Sequence, residues 1–267
     1  MSTTATTGNK PKAAKRIKVG YDGIKQPRPL AGRLAVVTGA SGGIGRALGI
    51  ALAREGALLC AVGRNPATLS ETVLTARQFS QVASFQIDLT VEGSIQPLLQ
   101  HLEEAGRLDI LIHCAGVVNQ NRMECASVED LDLQYATNVR APYLLTQRLL
   151  PLLTVAGGQI VFINSSVGLA AKRPEIGQYA ATKHALKAIA DSLREEVNPK
   201  GIRVLSMYLG RTATPMQEAL CRDEGKSYCP ETLLQPEDIA SVVVQALMLP
   251  STAEVTDISI RPMRKSN

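Results

Sequence analysis

Residues 34–45 read LAVVTGASGGIG and combine three signals in a fixed order. Residues 34–38 are apolar or β-branched, which is typical of a buried strand. Four glycines occur in the next seven residues, and glycine lets a backbone turn tightly and approach a ligand closely. From Ile44 to Leu52, apolar residues recur at helical spacing. A strand, a glycine turn and a helix in this order predict a dinucleotide-binding unit, in which the helix N-terminus stabilises the pyrophosphate.

Apolar runs that alternate with helical stretches continue to the end of the chain. Further strands are predicted at residues 57–62, 82–87, 109–116, 160–163, 203–207 and 255–260. No β-hairpin signal separates them, so they should form a parallel sheet with helices on both faces. The predicted fold is α/β, a doubly wound parallel sheet of the Rossmann type with about seven strands in a single domain.

Several helix boundaries can be predicted from local signals. Thr90 is expected to cap a helix that runs to about Ala105. Ser127 begins a pattern that resembles a capping box, and the long helix after it should be kinked or interrupted by Pro142. The segment 214–234 mixes apolar and charged residues, so that a partly helical lid and a packed surface hairpin both stay open.

Length and composition fit this fold. With 267 residues, of which 45% are hydrophobic, the chain can bury a large core, either as one large α/β domain or as two small ones. No apolar run is long enough to span a membrane, so we expect a soluble protein. The five cysteines are scattered and lack metal-type spacing, which predicts reduced thiols in the cytoplasm and no metal site.

The N-terminal tail carries the positive charge of the chain. Residues 1–30 hold seven Lys or Arg and one Asp, whereas the remainder holds 22 basic and 23 acidic residues. The tail has too few large apolar side chains to fold alone and lacks the apolar core of a secretory signal. A transit peptide and a patch for nucleic acid or acidic lipid stay open. We expect a solvated arm over 1–30 that binds no nucleic acid, and a Rossmann-fold domain over 31–267.

The end of the second strand predicts which dinucleotide binds. An acidic residue at this place accepts hydrogen bonds from the adenosine ribose hydroxyls. This chain has Gly63 followed by Arg64, and an arginine can instead hydrogen-bond and neutralise a 2′-phosphate. The pattern therefore favours NADP(H) over NAD(H). The alternative is a surface arginine beside the helix start at Asn65 and Pro66.

A second stretch, residues 159–183, holds the best candidates for chemistry. A strand ends near Ser165 and Ser166, and a helical pattern then places Tyr179 and Lys183 on one face, one turn apart. A nearby ammonium group lowers the pKa of a tyrosine, so Lys183 could make Tyr179 a general acid or base. Taken alone, this short pattern more often means a packed tyrosine beside a solvated lysine.

Two further polar sites admit alternatives. His113 and Cys114 end the fourth strand, but no partner ligands stand at suitable spacing, so neither a metal site nor a nucleophile pair is predicted. Asn138 is polar within a mainly apolar helical stretch. It therefore either satisfies buried backbone groups or takes part in the chemistry.

Together these motifs resemble those of the short-chain dehydrogenase/reductase family, from about residue 32 to the end. Residues 38–45 match its cofactor loop, residues 114–116 its strand-four motif, and residues 179–183 its Tyr-x-x-x-Lys signature. Ser166 lies thirteen residues before Tyr179, as in the family. The resemblance implies a catalytic set of Asn138, Ser166, Tyr179 and Lys183. Together with the residue patterns it gives the cofactor contacts Gly39, Ser41, Gly43, Ile44, Gly45, Arg64, Asp88, Leu89, Ala115, Gly116, Asn138, Tyr179, Lys183 and Thr214.

The resemblance implies NADP(H)-dependent interconversion of a carbonyl and a secondary alcohol by hydride transfer. Tyr179 would exchange the proton, while Ser166 would orient the carbonyl oxygen. Lys183 would lower the pKa of Tyr179 and hold the nicotinamide ribose, and Asn138 would support a water-mediated proton path. The alternative is a sensor or scaffold that binds NADP(H) without turnover, although a pure binder does not need this acid–base set.

Two departures from the family pattern and its pairing mode give further expectations. His113 and Cys114 stand where the family usually has two asparagines, and we expect the fold to tolerate the change. Leu209 stands where the family usually has proline, which leaves the loop geometry around Thr214 open. Family members usually pair through the helices that correspond to 128–153 and 178–197, which implies a homodimer or homotetramer.

Overall fold

The computed structural model describes Met1 and residues 28–264, so nearly all of the predicted basic arm lies outside the described residues. Within them, seven strands form one parallel sheet in the order β3-β2-β1-β4-β5-β6-β7. The strands are β1 Leu34–Thr38, β2 Leu58–Gly63, β3 Val82–Gln86, β4 Ile110–His113, β5 Gln159–Ser165, β6 Arg203–Leu209 and β7 Asp257–Ile260. The predicted fold class is confirmed.

Helices connect successive strands on both faces of the sheet. They are α1 Gly43–Arg54, α2 Pro66–Ala76, α3 Gln96–Ala105, α4 Val128–Tyr135, α5 Ala141–Ala156, α6 Gly177–Val197, α7 Pro215–Asp223 and α8 Pro236–Leu247. A π-helical turn, Ala136–Arg140, joins α4 to α5, and a 3-10 turn, Ser166–Gly168, follows β5. In the described part of the chain, no helix is long and apolar enough to cross a membrane.

Strand residues point alternately into two cores. Ala35 and Val37 of β1 pack with residues of α1, α2 and α8, whereas Val36 packs with residues of α3, α5 and α6. All three side chains are fully buried, which explains the continuous apolar run in the sequence. Leu30, at the edge of the predicted arm, is 1% exposed and belongs to the first core. Burying a side chain such as Leu30 stabilises the fold by about 1.5–3 kcal/mol.

The strand order places the ligand crevice. Strands β2 and β3 lie on one side of β1, and β4 to β7 lie on the other. Parallel sheets of this kind bind ligands at the carboxyl ends of the strands, where the order reverses. The glycine turn that follows β1 and the residues that follow β4 therefore meet at one crevice.

The predicted start of α3 is wrong. The helix begins at Gln96, and residues 90–95 form turns. The hydroxyl of Thr90 donates to Asp88 Oδ1 over 2.7 Å, and its backbone N–H donates to the same oxygen over 2.9 Å. Because the Asp88 side chain captures these groups, Thr90 belongs to a local turn and caps no helix. Pro97 instead lies in the first helical turn, where its missing N–H is harmless.

The predicted interruption of the long helix is confirmed. Ser127 caps α4 by accepting a hydrogen bond from the Asp130 backbone N–H over 3.0 Å. The helix then passes through the π-helical turn 136–140, and Pro142 is the second residue of α5. Pro142 has no N–H to donate to the carbonyl of Asn138, four residues earlier, so a regular ladder cannot continue there.

Two further segments refine the boundaries. Strand β6 runs to Leu209, two residues past its predicted end, because the residues after Met207 pair with β5 and β7. The segment 214–234 contains α7 and a 3-10 turn, Pro230–Thr232, so it is partly helical.

Candidate active site

A cavity of about 220 Å³ opens at the carboxyl ends of β1, β2 and β4. Predicted cofactor contacts that line it are Gly39, Ser41, Arg64, Asp88, Leu89, Ala115 and Gly116. Lining residues that were not predicted as cofactor contacts are Val62, Gly63, Asn65, Ile87, Thr90, Val117 and Thr137. The predicted contacts that lie outside this lining are Gly43, Ile44, Gly45, Asn138, Tyr179, Lys183 and Thr214. Half of the fourteen predicted contacts therefore surround one cavity.

Close backbone packing explains two of the glycines. Gly39 has φ +70°, and a Cβ there would lie 2.8 Å from the Ala115 nitrogen, so the turn can approach β4. A Cβ at Gly45 would lie 2.2 Å from the Gly39 carbonyl oxygen. Gly43 faces Thr214 across the crevice, where a Cβ at position 43 would lie 3.0 Å from Thr214 Cγ2. Thr214 therefore packs beside the glycine loop.

Helix α2 fixes the position of this loop. Thr72 is fully buried, and its hydroxyl donates to the Ala40 carbonyl over 2.8 Å. Arg46 donates from Nη2 to the Ser41 carbonyl over 3.2 Å and from Nε to Thr72 Oγ1 over 3.1 Å. These bonds engage the carbonyls of Ala40 and Ser41 and so hold the loop in place.

The region around Arg64 fits an anion. Arg64 Nη1 lies 3.9 Å from Asp88 Oδ2; the Arg64 side chain is exposed and Asp88 is half-buried. Hydrogen bonds from Thr90 lower the pKa of Asp88, and the charge of Arg64 acts in the same direction. A Cβ at Gly63 would lie 2.0 Å from Ser41 Oγ, so a ribose-binding acid cannot occupy that position while Ser41 is placed as it is.

Two buried hydroxyls in this cavity fit a polar ligand. Ser41 Oγ and Thr137 Oγ1 have no hydrogen-bond partner among the described residues. Both residues line the cavity, and a buried hydroxyl without a partner costs about 1–3 kcal/mol. A ligand with hydroxyl or phosphate oxygens would satisfy both groups.

Lys183 is buried beside Tyr179. Only 5% of Lys183 is exposed, which excludes the interpretation as a solvated lysine. Its Nζ donates to the Ile163 carbonyl over 3.2 Å and lies 5.6 Å from the centre of the Tyr179 ring. Burial lowers the pKa of Lys183 to about 8, because a charged ammonium group is poorly solvated there.

The pKa of Tyr179 moves in the direction opposite to the predicted one. Burial raises the pKa of Tyr179 to about 12, while a hydrogen bond with Ser165 acts to lower it. Loss of solvation by the phenolate therefore dominates the pKa of Tyr179, and the lowering expected from Lys183 does not overcome it.

Ser165 acts to lower the pKa of Tyr179, and its Oγ accepts from the Val167 N–H over 3.4 Å. Ser165 is the last residue of β5, whereas Ser166 is exposed and begins the 3-10 turn. The carbonyl of Ser166 accepts from the Leu169 N–H over 3.1 Å. The role of Ser166, which rests on its distance in sequence from Tyr179, stays a prediction.

Asn138 satisfies buried backbone groups, one of the two roles that the sequence left open. Its Oδ1 accepts from the Val117 N–H over 2.9 Å, and its Nδ2 donates to the Val117 carbonyl over 2.9 Å and to Thr182 Oγ1 over 3.1 Å. Gly116 lines the cavity and lies close to both Asn138 and Lys183. A Cβ at position 116 would lie 3.3 Å from Asn138 Oδ1 and 3.9 Å from Lys183 Nζ. The glycine-loop cavity therefore adjoins Lys183, which lies beside Tyr179.

Comparisons with known proteins place this site in a family. The sequence profile described as short chain dehydrogenase matches residues 33–225. The chain belongs to the short chain dehydrogenase family of oxidoreductases. An uncharacterized oxidoreductase of Staphylococcus epidermidis is 34% identical over 233 residues, which are 86% of this chain and 97% of that protein.

Solved structures of the short chain dehydrogenase fold agree. An alcohol dehydrogenase from the archaeon Thermococcus sibiricus, complexed with 5-hydroxy-NADP, has a TM-score of 0.79 at 26% identity and covers 88% of this chain and 98% of its own. A metagenomic short-chain oxidoreductase in complex with NADP has a TM-score of 0.75 at 26% identity, over 89% of this chain and 100% of its own.

This short chain dehydrogenase accommodates its unusual His113 and Cys114. His113 Nε2 lies 2.8 Å from Thr146 Oγ1, and its ring stacks on Phe162 at 4.9 Å. Burial lowers the pKa of His113 to about 3 and raises the pKa of Cys114 to about 12, so the ring is neutral and the sulfur stays a thiol. Within the described residues, no cluster of metal-ligating side chains occurs.

Leu209 continues the sheet in this family member. It pairs with Ser165 of β5 and Ile260 of β7, and the Gly210 N–H donates to the Ile260 carbonyl over 2.8 Å. Thr214 then caps α7 by accepting from the Gln217 N–H over 3.2 Å. With Leu209 in place of proline, Thr214 still lies beside the glycine loop.

Proposed function

We propose that this oxidoreductase uses NADP(H) to interconvert a carbonyl and a secondary alcohol. The observation that carries the proposal is the set of half-buried Ser165 and Tyr179 with buried Lys183 at the carboxyl edge of the sheet, adjoining the glycine-loop cavity. When bound there, the nicotinamide supplies or accepts a hydride. A small-molecule carbonyl or alcohol is the corresponding substrate.

The cofactor would contact residues from both sides of the crevice. We assign its phosphates and adenosine to the wall that contains Gly39, Ser41, Gly43, Ile44, Gly45, Arg64, Asp88 and Leu89. We assign its nicotinamide half to Ala115, Gly116, Asn138, Tyr179, Lys183 and Thr214. Arg64 and the unpartnered hydroxyl of Ser41 support NADP(H), because both can hydrogen-bond a 2′-phosphate. Two related structures with bound NADP give further support.

Tyr179 would supply the proton in the reductive direction. With a pKa of about 12 the phenol keeps its proton at neutral pH, so it can donate to the oxygen that gains charge. Ser165, which hydrogen-bonds Tyr179, is positioned to share that oxygen and stabilise its charge. We therefore assign to Ser165 the role that the sequence analysis gave to Ser166.

Lys183 and Asn138 would support the proton transfer. The lowered pKa of Lys183, about 8, lets its ammonium group exchange a proton near neutral pH. The side-chain amide of Asn138 is already occupied by Val117 and Thr182. A contribution of Asn138 to a water-mediated path would therefore come from its backbone carbonyl, which Pro142 cannot bond.

We also propose a homodimer or homotetramer in the cytoplasm. Helices α4 and α5 leave several large apolar side chains exposed, which a second copy could cover: Val128, Leu133, Tyr135, Tyr143 and Val155. All five cysteines are free thiols, as in a reducing compartment. Light scattering coupled to gel filtration measures the oligomeric state, and a monomer at micromolar concentration would contradict the assignment.

NADPH oxidation against a panel of carbonyl compounds tests the proposed reaction. NADH and the Tyr179→Phe variant are the controls. We expect turnover with NADPH, weaker turnover with NADH, and a loss of several orders of magnitude in the variant. Equal activity of Tyr179→Phe would refute the mechanism. NADPH binding without turnover of any panel compound by the wild type would support a sensor or scaffold that retains the fold.

A further inference from the structure

The segment between β6 and α8 is weakly anchored by apolar contacts. Of the nine residues of α7, only Gln217 and Cys221 are buried. The base of the segment is fixed, because the Ala213 N–H donates to the Leu234 carbonyl over 2.7 Å and the Leu234 N–H donates to the Arg211 carbonyl over 3.1 Å. Residues 213–234 therefore form a flap with a firm hinge and little buried apolar surface, the kind of segment that opens locally.

A cluster of charges holds the other end of this flap. Glu224 follows the last residue of α7, and its side chain is 12% exposed. It accepts from Arg173 Nη1 over 2.8 Å, from Arg211 Nη2 over 2.9 Å and from Lys226 Nζ over 3.2 Å. The amide of Gln120 joins them, in the orientation that lets its oxygen accept from Arg173 and its nitrogen donate to Glu224.

The partners of Glu224 come from the loops that surround the proposed reaction centre. Gln120 lies between β4 and α4, and Arg211 lies between β6 and α7. Arg173 lies in the loop that begins after Ser165 and ends before Tyr179. The Glu224 carboxylate on the flap therefore bonds loops next to the elements that carry Ser165 and Tyr179.

The charge of Glu224 is maintained by these contacts and not by the helix. A carboxylate at a helix C-terminus is disfavoured by the helix dipole. Burial also acts to raise the pKa of Glu224, but the hydrogen bonds from Arg173, Arg211 and Lys226 lower it to about 2. Glu224 is therefore ionised across the physiological range, and the flap cannot move away from Arg173 without breaking a charge-assisted bond.

We infer that Glu224 is a positioning residue that latches the flap 213–234 over the substrate side of the site through Arg173 and Arg211. Substrate entry and product release would require these ion pairs to open, and reclosure would return α7 to the position that it has in the structure. The kinetic part of this inference rests on the proposed function. The latch itself is a property of the folded chain and can be measured without turnover.

Glu224→Gln tests the latch, with Asp223→Asn as the matched control. Both changes remove one negative charge from the C-terminal end of α7, but Asp223 is exposed. Hydrogen–deuterium exchange of a peptide covering 215–223 reports opening of the flap. We expect about tenfold faster exchange in Glu224→Gln, a shift of about 1.4 kcal/mol, with no change in Asp223→Asn or in α6. Equal exchange of α7 in both variants would overturn the latch.

Steady-state kinetics test the positioning role in the same variants. Glu224→Gln should raise the KM for the carbonyl substrate about tenfold, while kcat and the Kd of NADPH stay within about twofold. A parallel loss of kcat, NADPH affinity and thermal stability would identify a merely structural residue and refute the inference. If wild type reduces no carbonyl while Glu224→Gln still exchanges faster, the proposed function is wrong and the latch is supported.

Discussion

Replacing Ser165 by alanine removes the hydroxyl that acts on the pKa of Tyr179 and leaves the backbone in place. Ser165 is the last residue of β5 and pairs with Leu209, so the strand should hold position 165 in the variant. Its Oγ also accepts from the Val167 N–H, but over a long 3.4 Å. The loss of these two contacts should reduce stability by about 1–3 kcal/mol in total, a small part of what a domain of this size tolerates.

The effect on catalysis should be larger than the effect on stability. Removing one preorganised donor to a developing oxyanion typically lowers kcat by about 10²–10³, or about 2.7–4 kcal/mol. We expect a loss of about 100-fold for Ser165→Ala, because Tyr179 still donates to the same oxygen.

Ser166→Ala is the matched control. Ser166 is exposed, and the contact that it makes in the turn uses its backbone carbonyl, which the substitution keeps. Its kcat and KM should stay within about twofold of wild type. NADPH oxidation with one accepted carbonyl compound, measured for both variants across pH 6 to 10, gives the comparison. A larger loss in Ser166→Ala than in Ser165→Ala would refute the assignment of the hydrogen bond.

Arg64→Ala should raise the Kd of NADPH by about tenfold and leave that of NADH nearly unchanged, because an exposed guanidinium contributes modestly to binding a phosphate; fluorescence titration measures both, and equal effects on the two would contradict an adenosine 2′-phosphate contact. Thr72→Val should raise the Kd of NADPH and of NADH alike, by several-fold, because the Ala40 carbonyl loses its buried donor. Unaltered Kd values would show that the glycine loop keeps its position without this bond. Burial lowers the pKa of Lys183 from 10.5 to about 8, so unfolding takes up a proton between these values. The free energy of unfolding of wild type, relative to that of Lys183→Met, should therefore rise by roughly 3 kcal/mol from pH 8 to 10.5, and this gain should be lost as pH falls through 8. Urea denaturation measures the difference. A pH-independent difference would mean that Lys183 titrates normally.

The architecture was predictable because strands buried on both faces leave continuous apolar runs. Val36 and Val37 face opposite cores and are both apolar, so β1 is visible in the sequence without alternation. The start of α3 was not predictable in the same way. Thr90 carries the signal of a helix cap, but Asp88 two residues earlier competes for its hydroxyl and N–H, and only the structure shows which bond forms.

The site was predictable where one local motif carries the geometry. The glycines of residues 39–45 and the pair Tyr179 and Lys183 each report a local conformation, and the fold brings both to the same edge. Contacts across long sequence separations leave no such pattern. Arg173 and Glu224 are 51 residues apart, and neither residue type nor spacing marks them as partners. Thr137 likewise became a candidate ligand contact only when its hydroxyl proved buried and unpartnered.

The protonation states of Tyr179 and Lys183 bear on the direction of the proposed reaction. Burial moves the pKa of Tyr179 up to about 12 and that of Lys183 down to about 8, and both shifts favour the neutral form of the group. A neutral phenol is the form that donates a proton to a carbonyl oxygen, so these shifts would favour the reductive direction of the proposed reaction. Alcohol oxidation needs the phenolate, which a positive charge close to the Tyr179 oxygen would have to stabilise. At 5.6 Å from the ring centre, Lys183 bonds the Ile163 carbonyl instead, so the reductive form is the one that these residues stabilise at neutral pH.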